Sequence, residues 1–353
     1  MGDKVRVVVV DDSALMRQLL SRMMASDPGI EVVGAAPDPV VAREMIKTCN
    51  PDVVTLDIEM PNMDGLSFLE KIMRLRPMPV VMISSLTQQG ADATLQALEI
   101  GAVDWVAKPK VDLQSGLLEK QAEIVEKIKT AARARVRGRQ RGETRAPAAA
   151  SAPKSGYAST ERIVAIGAST GGVEALREIA CALPADSPGV LITQHMPAGF
   201  TSRFAERLNV LAQVTVQEAS DGQRVLPGHV YIAPGNYHLE LVRTGANYIC
   251  RVADGPPVSG HRPSIDVLFR SVANNAGANA IGVILTGMGK DGAVGLKEMR
   301  SVGASTIGQN EATCVVYGMP KAAAAIGASE IELAIDRIAA AIIERCRDRH
   351  VRI

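Results

Sequence analysis

The sequence predicts an α/β protein built as two domains, on three observations. Short β-branched runs alternate with amphipathic helical patterns in two separate stretches, as parallel sheets require, because neighbouring parallel strands need helical crossovers. Residues 131–160, rich in Arg, Ala, Pro and Ser, stand between the two stretches. Each stretch also sets polar, chemically active side chains directly after its apolar runs, where open α/β sheets bind ligands.

In the first stretch the expected order is a strand VRVVVV, a helix from Ser13, a strand IEVVGAA, a helix from Asp38 and a strand DVVTLDI. A helix from Leu66, a strand VVMISS, a helix from Ala91, a strand DWVAK and a last helix from about Gly116 follow. Five β-α units predict a doubly wound, five-stranded parallel sheet over residues 1–130. The second domain, 161–353, opens with RIVAIGAS, a helix VEALREIACAL and a strand GVLITQH. It closes with AIGVILTG, a helix from Asp291, a strand ASTIGQN and a helix from Ile331. Between them VTVQEA, GHVYIAPG, YHLELVR and YICRVAD alternate and turn on Gly, Asn and Asp, so they are expected as antiparallel strands. The second domain is therefore expected to be α/β, with a mainly parallel sheet and an antiparallel hairpin region.

The segment 131–160 reads as a tether: its alternating arginines, Arg133, Arg135, Arg137, Arg139 and Arg141, carry no apolar face, and the Ala/Pro/Ser stretch after them buries too little surface to offset ordering entropy. Whole-chain composition excludes several function classes. Thirty-nine basic against 38 acidic residues leave a net charge of +1, so no global field recruits nucleic acid or anionic lipid. Four Phe, five Tyr and one Trp argue against stacking on bases or sugars as the main activity. The apolar runs fall far short of the roughly 18 residues that would suggest a membrane span. The five cysteines are scattered and form no C-x-x-C pair, and the amino terminus does not resemble a secretory signal. Reduced thiols in a cytoplasmic protein are expected, with no membrane insertion.

In the first domain Asp11 and Asp12 end the first strand, Asp57 the third, Ser84 the fourth and Lys108 the fifth. Three carboxylates at one sheet edge repel one another, and a hard divalent cation such as Mg²⁺ is the natural remedy. A carboxylate beside that cation and a lysine can attack phosphorus, with Ser84 and Lys108 binding the phosphoryl oxygens. Taken singly, these residues read more readily as structural: Asp12 as the cap of the helix near Ser13, Asp57 as the opening of a turn and Lys108 as a surface charge. Together, VVVDDS, TLDIEMPNMDG, ISS and AKP, spanning Val5 to about Lys129, resemble the response-regulator receiver domain. The resemblance implies phosphorylation at Asp57 by a histidine kinase, Mg²⁺ held through Asp11, Asp12 and Asp57, and a switch read through Ser84, Trp105 and Lys108.

In the second domain Gly167-Ala168-Ser169-Thr170-Gly171 satisfies G-x-S-x-G, which sets a serine hydroxyl on a sharp strand-to-helix turn. Alone, the loop reads equally as an anion cradle. A base decides between them: His195 follows one apolar run and Asp291 another, so Ser169, His195 and Asp291 can meet at one sheet edge as nucleophile, base and acid. A competing order is Ser169, Asp254 and His261, but His261 precedes a helix in a polar loop and does not follow a long buried strand. His261 and Arg262 are then expected at the substrate rim. His229 and His238, which flank a hairpin, read as structural, and His350 sits in a basic tail.

The motifs IGASTGG, QHMP and LTGMGKDG, with SGHRPSID and QNEATCVVYGMP, resemble the catalytic domain of the chemotaxis protein-glutamate methylesterases. That resemblance implies hydrolysis of glutamate γ-methyl esters on methyl-accepting chemoreceptors, deamidation of selected receptor glutamines, and activation by phosphorylation of the receiver. It implies the triad Ser169, His195 and Asp291, an oxyanion hole from the backbone N–H groups of Thr170 and Met288, and no cofactor for ester hydrolysis. Two alternatives stay open: an esterase serving another pathway, and a response regulator whose second domain only binds. A nucleic-acid effector is disfavoured, because the carboxyl terminus carries no helix-turn-helix pattern.

Overall fold

The computed structural model describes residues 4–60, 64–84, 87–108, 114–136 and 162–347, and the chain divides into two compact units, Met1–Glu143 and Thr144–Ile353. Most of the expected tether and His350 lie outside the described residues.

The first unit runs β1 (Val5–Val10), α1 (Ala14–Ala25), β2 (Ile30–Ala36), α2 (Pro39–Cys49), β3 (Val53–Asp57), α3 (Gly65–Leu75), β4 (Val80–Ser84), α4 (Gln88–Ile100), β5 (Asp104–Ala107) and α5 (Gln114–Ala131). Side-chain caps set four of the helix starts, each satisfying amides that a first turn leaves without partners: Ser13 for α1, Asp38 for α2, Asp64 for α3 and Thr87 for α4. The α1 cap is thus Ser13, not Asp12. The sheet order is β2-β1-β3-β4-β5, with parallel neighbours throughout. Strand order reverses between β1 and β3, so residues just past those strands meet at the crevice of the carboxyl edge.

The second unit contains β6 (Ile163–Ala168), α6 (Gly172–Ala182), β7 (Gly189–Gln194), α7 (Phe200–Leu211), β8 (Thr215–Glu218), β9 (His229–Ile232), β10 (His238–Thr244) and β11 (Asn247–Ala253). It continues with α8 (Ile265–Ala276), β12 (Ala280–Ile284), α9 (Ala293–Ser301), β13 (Ser305–Gln309), α10 (Met319–Ala325), β14 (Ile331–Leu333) and α11 (Ile335–Arg347). Seven strands form one parallel sheet in the order β14-β13-β12-β6-β7-β9-β8, and β10 and β11 form a separate antiparallel hairpin. The apolar face of α8, with Ile265, Leu268, Phe269 and Val272 fully buried, belongs to the same core as Leu239 and Leu241 of the hairpin and Ala165 of β6.

Three sequence expectations are corrected here. VTVQEA and GHVYIAPG are not antiparallel strands: β8 and β9 pair in parallel, with β9 inserted between β7 and β8. Their crossover needs no helix because its backbone is satisfied on β11. Gly222 N donates to the Cys250 carbonyl (2.9 Å), Cys250 N to that of Gln223 (2.7 Å) and Val225 N to that of Tyr248 (2.9 Å). Alternating hydrophobicity reports a half-buried strand, not its direction. Second, Ile331–Leu333 is an edge strand on β13, and the helix begins only at Ile335. Third, the helix expected from Asp291 begins at Ala293, after Gly292 at φ +87°.

Candidate active site

The central strands β12, β6 and β7 are adjacent, and each delivers one member of the expected triad. Ser169 follows β6, His195 follows β7, and Asp291 lies seven positions past the end of β12. His195 Nδ1 stands 3.2 Å from Ser169 Oγ, and His195 Nε2 stands 2.8 Å from Asp291 Oδ2. A carboxylate can only accept, so Nε2 carries the proton and Nδ1 is left as the acceptor for the serine hydroxyl. The imidazole is almost wholly enclosed, with its side chain 9% exposed.

Asp291 is buried and has four donors. Besides His195, Ser264 Oγ (2.8 Å) and Asp266 N (3.2 Å) donate to Oδ1, and Ile265 N (2.8 Å) donates to Oδ2. Asp291 therefore caps α8 from outside that helix, while Ser264, in the cap position, spends its own hydroxyl on the carboxylate. Burial alone would raise the Asp291 carboxyl; the His195 hydrogen bond and charge, the Ile265 amide and the Ser264 hydroxyl outweigh it and hold the group below the usual carboxylate range. Its neighbour Asp266 is shifted the opposite way, raised by burial and by the charge of Asp291 even though Gly295 N donates to it at 2.8 Å.

The loops carrying these groups are held by side chains that sequence reading missed. Gln194 Nε2 donates to the Ser169 carbonyl at 3.0 Å. Thr286 Oγ1 donates to the Thr170 carbonyl (2.9 Å), and Thr286 N donates to Gln309 Oε1 (2.8 Å). Ser169 N is engaged by the Thr286 carbonyl at 3.0 Å. Gly171, at φ +77°, makes the left-handed turn into α6. Gly287 packs so closely that a Cβ there would come within 2.7 Å of Ser169 Cβ, which sets the Gly287-Met288 backbone against the serine. One cue was available: RPSID has a serine directly before an apolar helical run, the usual form of a cap. Nothing in it says that the serine caps nothing of its own.

His261 stacks on His195, with ring centroids 3.7 Å apart and planes 12° from parallel. It is presented by a tight turn in which Val258 and His261 exchange both backbone hydrogen bonds, Ser259 and Gly260 lying at φ +53° and +81°. The Asp254 carboxylate is engaged by Arg262, whose Nη1 reaches it at 2.7 Å and the Gly255 carbonyl at 2.6 Å. The geometry therefore favours His195 with Asp291 over His261 with Asp254. Replacing His261 by alanine is expected to raise KM several-fold while changing kcat by less than about tenfold, because it bares one face of His195 without removing an acid or base. Steady-state kinetics check this, and loss of all turnover would return His261 to the candidate bases.

At the carboxyl edge of the first sheet, one ligand atom from each of Asp11, Asp12 and Asp57 lies within 4.8 Å of the others. Lys108 Nζ is 2.7 Å from Asp57 Oδ2 and 3.6 Å from Asp11 Oδ2. Burial raises the Asp57 carboxyl to about 6, despite the lysine, and raises Asp11 as well. Among the described residues the buried Asp11 Oδ2 accepts no hydrogen bond, and only the more distant Lys108 ammonium offsets its charge. An all-carboxylate donor set with an unsatisfied buried oxygen fits a hard cation such as Mg²⁺. Ser84 is 1% exposed, and its Oγ is 2.8 Å from Thr94 Oγ1 on α4. Trp105 is buried, with Lys127 Nζ 5.6 Å from its ring centroid and 3.1 Å from Asp104 Oδ1.

Comparison with known proteins follows the same division. Residues 164–342 match the family model for CheB methylesterase, and residues 7–117 match that for the response regulator receiver domain. A protein-glutamate methylesterase/protein-glutamine glutaminase of Chromohalobacter salexigens is 57% identical over 98% of this chain and 97% of its own length. One of Bordetella parapertussis is 57% identical over 99% of each. The crystal structure of the Thermotoga maritima CheB methylesterase catalytic domain covers 52% of this chain and 98% of its own, at 38% identity and a TM-score of 0.51. Fold and site together define an α/β enzyme of the hydrolase class whose catalytic domain follows a receiver domain. The chain belongs to the CheB methylesterase family. No helix among the described residues is long and apolar enough to cross a membrane.

Proposed function

We propose that the chain hydrolyses glutamate γ-methyl esters on methyl-accepting chemoreceptors, deamidates selected receptor glutamines, and is activated when a histidine kinase phosphorylates Asp57. What carries the chemistry is the pair of distances at His195, 3.2 Å to Ser169 Oγ and 2.8 Å to Asp291 Oδ2. Ser169 Oγ attacks the ester carbonyl carbon as its proton passes to His195 Nδ1, and Asp291 stabilises the resulting imidazolium through Nε2–H. The developing oxyanion accepts from the backbone N–H groups of Thr170 and Met288. Ser169's own amide is engaged by Thr286, whereas the residue after the nucleophile is the usual donor in such turns. The imidazolium then gives that proton to the leaving methoxy oxygen, or to the amide nitrogen, as the C–O or C–N bond breaks and methanol or ammonia departs. His195 next takes a proton from the water that attacks the acyl-enzyme, releases the glutamate carboxylate and restores Ser169.

In the receiver, an Asp57 oxygen attacks the phosphorus of the kinase phosphohistidine, the P–N bond breaks, and the imidazole leaves. Asp11, Asp12 and Asp57 would hold Mg²⁺, which when bound offsets the negative charge of the carboxylates and the phosphoryl group. Lys108 pairs with the same charge. Ser84 Oγ accepts from Thr94 Oγ1 and donates to the Gly90 carbonyl at 3.3 Å, so turning its hydroxyl to the phosphoryl oxygens exchanges the Gly90 bond and couples Asp57 to α4. The chain is read as cytoplasmic, where kinase and receptor signalling regions are found.

The test is methanol release from methylated receptor membranes by the full chain, with and without a small-molecule phosphodonor. Release that rises at least several-fold with the donor is expected. Release unaffected by the donor removes activation from the reading. A chain that hydrolyses simple esters but no receptor ester favours an esterase of another pathway.

A further inference from the structure

His238 opens β10, is 4% exposed and takes no part in the chemistry above, yet its hydrogen bonds lead into the triad. Its Nε2 lies 3.0 Å from the Pro256 carbonyl, and its Nδ1 lies 3.2 Å from the Ser264 amide. A carbonyl only accepts and an amide N–H only donates, so the ring is the neutral Nε2–H tautomer, with the Nδ1 lone pair facing Ser264. His238 thereby ties together both ends of the loop between β11 and α8. That loop presents His261 to His195, and it ends at the residue whose hydroxyl and two following amides hold Asp291.

We infer that His238 is a positioning residue for the triad: by accepting from the Ser264 amide it sets the first turn of α8, and through that turn the Asp291 carboxylate against His195. This rests on the proposed roles of Ser169, His195 and Asp291. The two ring nitrogens separate positioning from plain packing. The Nδ1 bond leads to Asp291, whereas the Nε2 bond leads only to the loop carbonyl of Pro256. A side chain that keeps the first bond and loses the second should preserve catalysis, and the reverse should not.

Two substitutions of the full chain make that separation. In His238→Asn the amide oxygen takes the place of Nδ1 and can accept from Ser264. In His238→Gln the terminal amide takes the place of Nε2 and can donate to Pro256, with no acceptor left for Ser264. Turnover of a glutamate methyl ester and the rate of Ser169 labelling by a fluorophosphonate are measured for each. The second reading follows the triad whatever the natural ester. The expected result is that His238→Gln lowers kcat and the labelling rate by about 10- to 100-fold, as a misplacement of a reacting group by up to about 1 Å does, with KM within about threefold. His238→Asn is expected to keep at least about a third of both rates. With Asp291→Ala in place, His238→Gln should cost no more than about twofold further, since the two act as one unit.

Equal losses in the Asn and Gln variants, parental rates in the Gln variant, or a Gln cost undiminished by Asp291→Ala would each overturn the inference. Should the Gln variant unfold, the folded Asn variant decides: near-parental rates support positioning through Nδ1, and a fall of tenfold or more rejects it. A parent chain that labels at Ser169 but releases no methanol fails the proposed substrate alone, and the labelling comparison still decides the role of His238. A parent that neither labels nor hydrolyses rejects both.

Discussion

Replacing Ser169 by alanine is expected to lower ester hydrolysis by about 10⁴-fold or more, because loss of a triad nucleophile leaves only binding and the oxyanion donors. The fold should survive, since Ser169 Oγ contacts only His195 among the hydrogen bonds described, and a half-buried turn Ser→Ala costs little. His195→Ala should be as severe, and combining the two should cost little beyond either alone, as for groups that act as a unit. Methanol release from methylated receptors, beside a thermal melt of each variant, checks this. A folded Ser169→Ala chain retaining more than about a tenth of parental turnover would sink the nucleophile assignment.

Asp57→Asn is expected to abolish incorporation of labelled phosphate from a small-molecule phosphodonor, and EDTA to abolish it in the parent chain. Asp57 is the carboxylate that pairs with Lys108 at 2.7 Å, while Asp11 is farther from the lysine at 3.6 Å. Asp11 and Asp12, consecutive past β1, are better disposed to hold a cation than to attack phosphorus. An amide at position 57 also lacks the negative charge the nucleophile needs. Label persisting in the variant would move the phosphorylated group elsewhere, and label persisting in EDTA would remove the cation from the reaction.

Much of the catalytic edge was legible because chemistry and periodicity coincided there. Ser169 and His195 stand at the first positions past apolar strands, where a parallel sheet must present them, and the same logic located Asp57 and Ser84. Direction was not legible. β8 alternates as a solvent-facing hairpin strand does, although Val230–Ile232 of β9 is continuously apolar and buried, and the parallel pairing of the two is set by a crossover whose amides find partners on β11, far away in sequence. The three-residue β14 was hidden for a related reason, since IEL before an amphipathic run shares its apolar spacing with the helix that follows. His238 illustrates a further limit. Its place at a hairpin was readable, but the 26-residue separation from Ser264 was closed only by the packing of α8 on the hairpin.

The capping of α8 by Asp291 gives one carboxylate a part in folding beside the chemistry proposed for it. An N-terminal cap is worth about 0.5–2 kcal/mol, and a carboxylate held below its unfolded pKa adds stability that is fully present above the unfolded value and lost as pH falls through the folded one. Acid is therefore expected to withdraw the electrostatic support of the proposed triad and to loosen the first turn of α8 in the same titration. Active-site groups commonly burden the fold that carries them, so that removing them stabilises it. Here the sign is expected to be reversed: in the triad role proposed for Asp291, a chain that loses it should lose helix anchorage as well as turnover, so that proteolytic clearance and catalytic failure act against the same substitution.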